Sequence, residues 1–174
     1  MYNYNGSNNR DNQRCPDCSE SGDNCDCGDK TSMTKQQAIE THIRASYPEA
    51  EVTESAYCDS TFDIEGEEWL VLTDDEADKR AGEQVEQSLW AFNWSFLAGH
   101  CDAIDAIGST NWAKMMSDMC EDGNDVVKRL LGDRLDRLVG DAILADGRGH
   151  FLSIYDGDEV ELGDRIDFYG YRIS

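Results

Sequence analysis

The segment Glu68–Thr73 constrains the fold most strongly, because it predicts a strand that is apolar on both faces and ends where a helix must begin. Trp69 and Val71 alternate with Leu70 and Leu72, which predicts a central position in a sheet. The residues that follow, T-D-D-E, form a capping box in which a threonine precedes a glutamate by three positions. The two aspartates between them complement the helix dipole, so a helix is expected to start here.

Further strands are predicted on both sides of this segment. Val52–Tyr57 and Thr61–Glu65 are short β-type segments, and Glu65-Gly66 is placed as a hairpin turn. Ile166–Ile173 has the β-branched and aromatic character of a last strand that returns to the hairpin. The predicted class is α+β: a small antiparallel sheet, made of a hairpin at about 60–73 and a strand at about 166–173, packed with a helical middle segment.

Helical periodicity accounts for most of the remaining chain. A helix is expected from Thr34 until Pro48 ends it, and a second one runs from the capping box through the aromatic patch that ends at Leu97. Residues 101–122 predict one or two short helices, and a long helix is expected from Asn124 to about Ala145. Its outward side carries charges of alternating sign at four-residue intervals, namely Arg129, Asp133, Arg137 and Asp141.

The first 32 residues differ in composition from the rest. They are rich in Asn, Asp, Ser and Gly and lack large hydrophobic residues apart from two tyrosines, which predicts a flexible tail before a single domain at 33–174. This tail contains Cys15, Cys18, Cys25 and Cys27. Four thiols within a short stretch could form a structural zinc knuckle, although the pairs are closer together than in standard zinc modules. A redox-labile tail without metal is the alternative, and no other cofactor is expected.

Charge is the strongest global feature. The chain has 37 acidic and 15 basic residues, a formal net charge of −22. Nucleic acid and anionic membranes would repel such a surface, whereas a basic protein would be attracted to it. Solubility, or adaptation to a high-salt cytoplasm, would produce the same composition. With neither a signal-type apolar region at the start nor an apolar run of bilayer length, a cytoplasmic protein is expected.

The loop at 145–157, A-D-G-R-G-H-F-L-S-I-Y-D-G, is the best candidate for a site. A catalytic interpretation makes His150 the acid or base, oriented by Asp146 or Asp156, with Arg148 binding an anion. The alternative is structural: turns made by glycines, and ion pairs made by charged side chains. The candidate binding residues of the loop are Asp146, Arg148, His150, Tyr155, Asp156 and Asp158, of which the last two could also bind a hard cation.

Four blocks together resemble a family of small acidic proteins of phages, prophages and plasmids, most of which have no assigned function. The blocks are W-L-V-L-T-D-D-E-A-D at 69–78, S-L-W-A-F-N-W-S-F-L at 88–97, the loop at 145–157, and Y-R-I-S at 171–174. The resemblance implies an accessory protein of a mobile element and identifies no catalytic residues.

Three functions are consistent with these features. The first is a non-enzymatic acidic protein that binds a basic, nucleic-acid-binding host protein, as a nucleic-acid mimic that inhibits a defence system would. The second is a small enzyme or metal-dependent module that uses the 146–158 loop. The third is an acidic protein with a zinc knuckle in its N-terminal tail.

Overall fold

The computed structural model describes residues 33–55, 60–163 and 167–174. Its sheet consists of antiparallel strands in the order β1-β2-β3-β5-β4. The strands are β1 (Val52–Glu54), β2 (Thr61–Ile64), β3 (Glu67–Leu72), β4 (Val160–Leu162) and β5 (Phe168–Arg172). The strand predicted to be central, β3, lies between β2 and β5.

Both faces of β3 are buried, as its double-sided apolar pattern requires. Trp69 and Val71 belong to one cluster, which packs against α1 (Lys35–Ser46). Leu70 and Leu72 belong to another cluster on the opposite face, with apolar residues of α2 (Asp74–Gln87). The sheet is therefore the middle layer between α1 and α2.

The helical part of the chain packs against the C-terminal half of α2, whereas the N-terminal half of α2 packs on the sheet. Its core joins Val85 and Leu89 to apolar residues of the later helices, including Leu97, Val127 and Leu138. The helices after α2 are α3 (Trp94–His100), α4 (Asp102–Ile107), α5 (Ser109–Met119), α6 (Gly123–Leu131), α7 (Leu135–Asp146) and α8 (Arg148–Leu152).

The predicted α+β class is confirmed, and so are several local signals. The Thr73 side chain accepts a hydrogen bond from the Glu76 N–H while Glu76 bonds back to the Thr73 N–H, which is the predicted capping box. Thr34 caps α1 in the same way with Gln37. Glu65-Gly66 forms the turn between β2 and β3. These caps and this turn are formed by residues no more than three positions apart. A short stretch of sequence is therefore enough to predict them.

Two predicted long helices are wrong, because each is interrupted. The helix from the capping box ends at Gln87, and a 3₁₀ turn at Leu89–Ala91 leads into α3. The helix expected from Asn124 to Ala145 breaks at Gly132, whose φ of 55° and ψ of −123° lie outside the helical region. Glycine adopts such a backbone conformation far more readily than other residues, and the apolar periodicity continues through this point even though the chain turns there. The predicted charge ladder on this helix is therefore not continuous.

The segment predicted as a loop at 145–157 contains the short helix α8, and the strand β4 after it was not predicted. Gly147 ends α7 with a φ of 80°, as expected for a helix C-cap, and α8 begins at the next residue. The chain then returns along α8: a Cβ atom on Gly149 would lie 2.3 Å from the Gly157 carbonyl oxygen and 2.8 Å from the Asp158 carbonyl carbon. Only glycine permits this close approach of two backbones.

We expect Gly149→Ala to destabilise the fold, because its methyl group would collide with backbone atoms that cannot move independently. The expected loss is about 2–3 kcal/mol of unfolding free energy, as for other overpacked positions. The matched control is Gly140→Ala in α7, where a Cβ would meet nothing within 4 Å; this change is expected to stabilise by about 0.5–1 kcal/mol. Urea denaturation measures both, and equal effects of the two substitutions would contradict the close approach.

Candidate functional site

Arg148 lies where three parts of the fold meet. It is the first residue of α8, and its side chain reaches the start of α2, the segment before β4, and β5. The side chain is only 11% exposed. A charged group this deep in a fold requires partners for its N–H donors.

Three carboxylates surround the Arg148 guanidinium. Its Nε and Nη2 donate to the two oxygens of Glu159 at 2.8 and 2.9 Å, which is a bidentate pair. Its Nη1 donates to Asp74 at 2.7 Å and to Asp78 at 3.0 Å. The guanidinium carbon lies 4.3 Å from the centre of the Tyr169 ring, close enough for a cation–π contact. The Arg148 guanidinium is therefore occupied by contacts with side chains of the same chain.

Tyr171 extends this network into the core. Its hydroxyl donates to Glu159 Oε2 at 2.5 Å, and the residue as a whole is fully buried. Burial, and then the hydrogen bond to Glu159, raise the pKa of the Tyr171 hydroxyl well above its ordinary range. The hydrogen bond to Glu159 is also the largest cause of the raised pKa of Arg148. Both groups therefore carry their protons at neutral pH.

The residues after α8 form a second polar cluster, centred on Arg172. Its guanidinium carbon lies 4.1 Å from the centre of the Tyr155 ring, and its Nη2 donates to Glu67 at 2.6 Å. Asp156 accepts hydrogen bonds from the Ser153 hydroxyl at 2.6 Å and from the Asp158 N–H at 3.0 Å. These contacts hold the turn at 153–158 against the end of β5.

The Asp156 carboxylate is stabilised in its charged form. The hydrogen bond from Ser153, then the one from the Asp158 N–H, and finally the nearby charge of Arg172 lower the pKa of Asp156. Both hydrogen bonds go to Oδ1 of Asp156, and its Oδ2 lies 3.8 Å from Arg172 Nη1, so a positively charged side chain already lies beside this carboxylate. In residues 33–55, 60–163 and 167–174 there is no group of three or more His, Cys, Asp or Glu that could hold a metal ion.

Asp146 and His150 lie elsewhere, at a surface groove of about 440 Å³ that is lined by residues of α2, the end of α7, α8 and the turn after α2. Gln84, Ser88 and Ala91 line one side, and the partly buried rings of Phe92 and Phe151 also line it. The His150 ring meets the edge of Phe151 at 5.0 Å between centroids. Both His150 and Asp146 are exposed.

The structure therefore separates the six candidate residues into three places. Arg148 belongs to the ion-pair network, Tyr155, Asp156 and Asp158 to the turn beside Arg172, and Asp146 and His150 to the groove. Among the described residues, no hydrogen bond joins His150 to Asp146 or Asp156, the two carboxylates proposed to orient it. The geometry required by the catalytic interpretation is thus not present, and Arg148 is engaged by carboxylates rather than open to an anion.

One histidine–carboxylate pair escaped the sequence analysis. His100 Nε2 lies 3.0 Å from Asp141 Oδ2, and His100 Nδ1 lies 2.9 Å from the Phe96 carbonyl oxygen. Because each ring nitrogen already faces an acceptor, the pair links α3 to α7 and leaves no nitrogen free to act on a substrate. Its two residues are 41 positions apart, and no periodicity connects them.

The cysteines of the predicted zinc knuckle, Cys15, Cys18, Cys25 and Cys27, lie outside the described residues, so the zinc site stays a prediction. Within the described part of the chain, Cys101 is buried and its thiol donates to the Leu130 carbonyl oxygen. The helices described by the structure include none that is long and apolar enough to cross a bilayer.

No protein-family model, curated protein or solved structure matches this chain.

We expect Arg148→Ala to destabilise the protein by about 2–3 kcal/mol, because it leaves Glu159, Asp74 and Asp78 close together without a cation. Arg148→Lys keeps the charge but loses the bidentate geometry, and an intermediate loss is expected. The control is Arg137→Ala, which removes an exposed pair with Asp141 at 3.7 Å and is expected to cost less than about 0.5 kcal/mol. Urea denaturation at one salt concentration compares the unfolding free energies of the three variants. Equal losses of stability in all three would refute the role of Arg148.

The lowered pKa of Asp156 predicts a pH dependence of stability. A carboxylate whose pKa is depressed by folding stabilises the protein above its unfolded pKa of about 4, and this contribution disappears as the pH falls through the folded pKa. Asp156→Asn is therefore expected to destabilise at pH 6, and the difference from the original protein should shrink by pH 3. Chemical denaturation of both proteins at pH 6 and pH 3 measures this difference in unfolding free energy. A difference that does not change with pH would contradict the assignment.

Proposed function

We propose that this protein is a non-enzymatic accessory protein of a phage or other mobile element that binds a basic, nucleic-acid-binding host protein and occupies the surface where nucleic acid would bind. The observation that carries the proposal is the state of its charges: most of the described cations are paired with carboxylates of the same chain, while many carboxylates are exposed and have no cation beside them. The sequence resemblance to acidic phage and plasmid proteins supports the same setting.

Most of the positive charge in the described residues is neutralised within the fold. Eight Lys and Arg side chains form ion pairs with carboxylates: Lys35, Arg44, Lys79, Lys114, Lys128, Arg137, Arg148 and Arg172. Arg148 alone engages three carboxylates. Each of these cations has a carboxylate beside it, which reduces its repulsion of a basic partner.

Many carboxylates, in contrast, are exposed and have no ion pair among the described residues. One group surrounds the edge strand β1 and the β2–β3 turn: Glu49, Glu51, Glu54 and Glu65. Another lies on the helical part of the fold: Asp102, Asp105, Glu121 and Asp125. Such surfaces attract a protein whose groove normally accommodates phosphates, and they steer its approach.

An inhibitor of this kind needs no catalytic residue. Nothing in the geometry favours the enzyme hypothesis, since His150 lacks an orienting carboxylate among the described contacts. Mimicry needs only that carboxylates be held at fixed positions on a rigid surface. The capped helices and the sheet, covered by helices on both faces, provide that rigidity.

The test is capture of host proteins on the immobilised full chain. We expect the captured proteins to bind nucleic acid, to be released by competing duplex DNA, and to bind at least 10-fold more weakly at about 0.5 M salt than at about 0.05 M salt. Binding that persists at high salt, or that duplex DNA does not displace, would rule out mimicry.

Two charge variants then test whether a defined surface is used. One replaces Glu49, Glu51, Glu54 and Glu65 by Gln; the other replaces Asp102, Asp105 and Asp125 by Asn and Glu121 by Gln. Each removes four negative charges. We expect one variant to weaken binding of the captured partner at least 10-fold and the other less than 3-fold. Equal weakening would mean that net charge alone drives association.

A further inference from the structure

The groove beside α8 has a composition suited to one kind of ligand. The rings of Phe92 and Phe151 line it, and each is partly buried against the core, so their positions are fixed by packing. The polar groups beside them include the carboxylate of Asp146 and the side-chain amide of Gln84. An aromatic surface next to a carboxylate is the combination that recognises an organic cation.

Asp146 is available to such a ligand. Its side chain is exposed and makes no hydrogen bond or ion pair with any other described residue. The nearest basic residue along the chain, Arg148, is held by Asp74, Asp78 and Glu159 and does not neutralise it. The other titratable residue that lines the groove is His150, whose ring contacts Phe151. The groove therefore carries an uncompensated negative charge beside two aromatic rings.

The shape and charge favour a guanidinium over other cations. Arginine is planar, stacks on aromatic rings and donates paired hydrogen bonds to a carboxylate, whereas the lysine ammonium is a compact and strongly hydrated point charge. A groove of about 440 Å³ is within the range that accommodates a small ligand. A phosphate or carboxylate ligand would be repelled by Asp146 and by the overall negative charge of the protein.

We propose that this groove binds an arginine side chain of the partner protein, with the guanidinium paired to Asp146 and its plane against Phe92 or Phe151. The proposal rests on the function proposed above, and it names the one contact in which a shaped pocket, rather than long-range charge, selects the partner. Nucleic-acid-binding proteins use arginine to contact phosphates and bases, so such side chains are present on the surface that the mimic would cover.

The first test uses a defined probe, N-acetyl-arginine methylamide, titrated into the full chain while amide signals are followed by NMR. We expect saturable shifts confined to residues that line the groove. The citrulline analogue, which has nearly the same shape but no charge, should bind at least 5-fold more weakly. Equal binding of the two probes, or shifts spread over the whole surface, would overturn the proposal.

Two matched variants assign the effect to Asp146. Asp146→Asn is expected to weaken the arginine probe at least 5-fold. Asp136→Asn removes the same charge from the same helix, ten residues away at an exposed position without an ion pair among the described residues, and should change binding less than 2-fold. Thermal melts confirm that both variants remain folded. Similar weakening by both would show that the general field, rather than the groove, attracts the probe.

A last measurement separates this proposal from the function on which it rests. The partner captured from host lysate is tested against both variants at low salt. Salt-dependent, DNA-displaceable binding that Asp146→Asn leaves unchanged would refute the groove contact alone. Binding that neither salt nor DNA affects would refute mimicry, whatever the arginine probe does at the groove.

Discussion

The contact between Arg148 and its three carboxylates is the constraint on which this arrangement of helices and sheet depends. Its guanidinium joins the start of α2 to α8 and, through Glu159 and Tyr169, to β4 and β5. In a chain of net charge −22, carboxylates near one another repel, and a helix that begins with adjacent aspartates adds to that repulsion. A cation shielded from water acts more strongly on its neighbours than a surface cation does, since solvent screens it less. A single arginine can therefore hold the sheet edge to α2.

The parts of this fold that the sequence predicts are those determined by neighbours along the chain. The double-sided apolar pattern of β3, the capping box at Thr73 and the turn at Glu65-Gly66 each depend on a few consecutive residues, and each is confirmed. The break at Gly132 was missed because apolar side chains recur at helical spacing on both sides of it. The strand β4 is three residues long, too short for alternation to indicate it, and it is defined by pairing with β5.

Site residues were harder to predict because contacts between distant residues decide their roles. Arg148 and His150 are two positions apart and looked like parts of one site, yet their side chains belong to an internal ion-pair network and to an external groove. Asp74 and Asp78, which determine the role of Arg148, precede it by 74 and 70 residues. The pairing of His100 with Asp141 depends equally on how helices pack. Composition suggested the acidic character of the surface, but only the structure shows which charges are already neutralised.

In the proposed complex, charge and shape have different roles in recognition. Exposed carboxylates attract any basic protein, and this attraction raises the association rate and weakens as salt increases, but it distinguishes poorly between partners. Selection requires a contact that a wrong partner cannot make. The groove at Asp146 can supply it, because desolvating a guanidinium against an aromatic ring is favourable only where a carboxylate is in reach. A basic protein without an arginine at the matching position would still be attracted, but it would dissociate faster. The segment at 145–157 thus has two roles. Arg148 fixes α8 to the rest of the fold, and α8 in turn holds one wall of the groove in place.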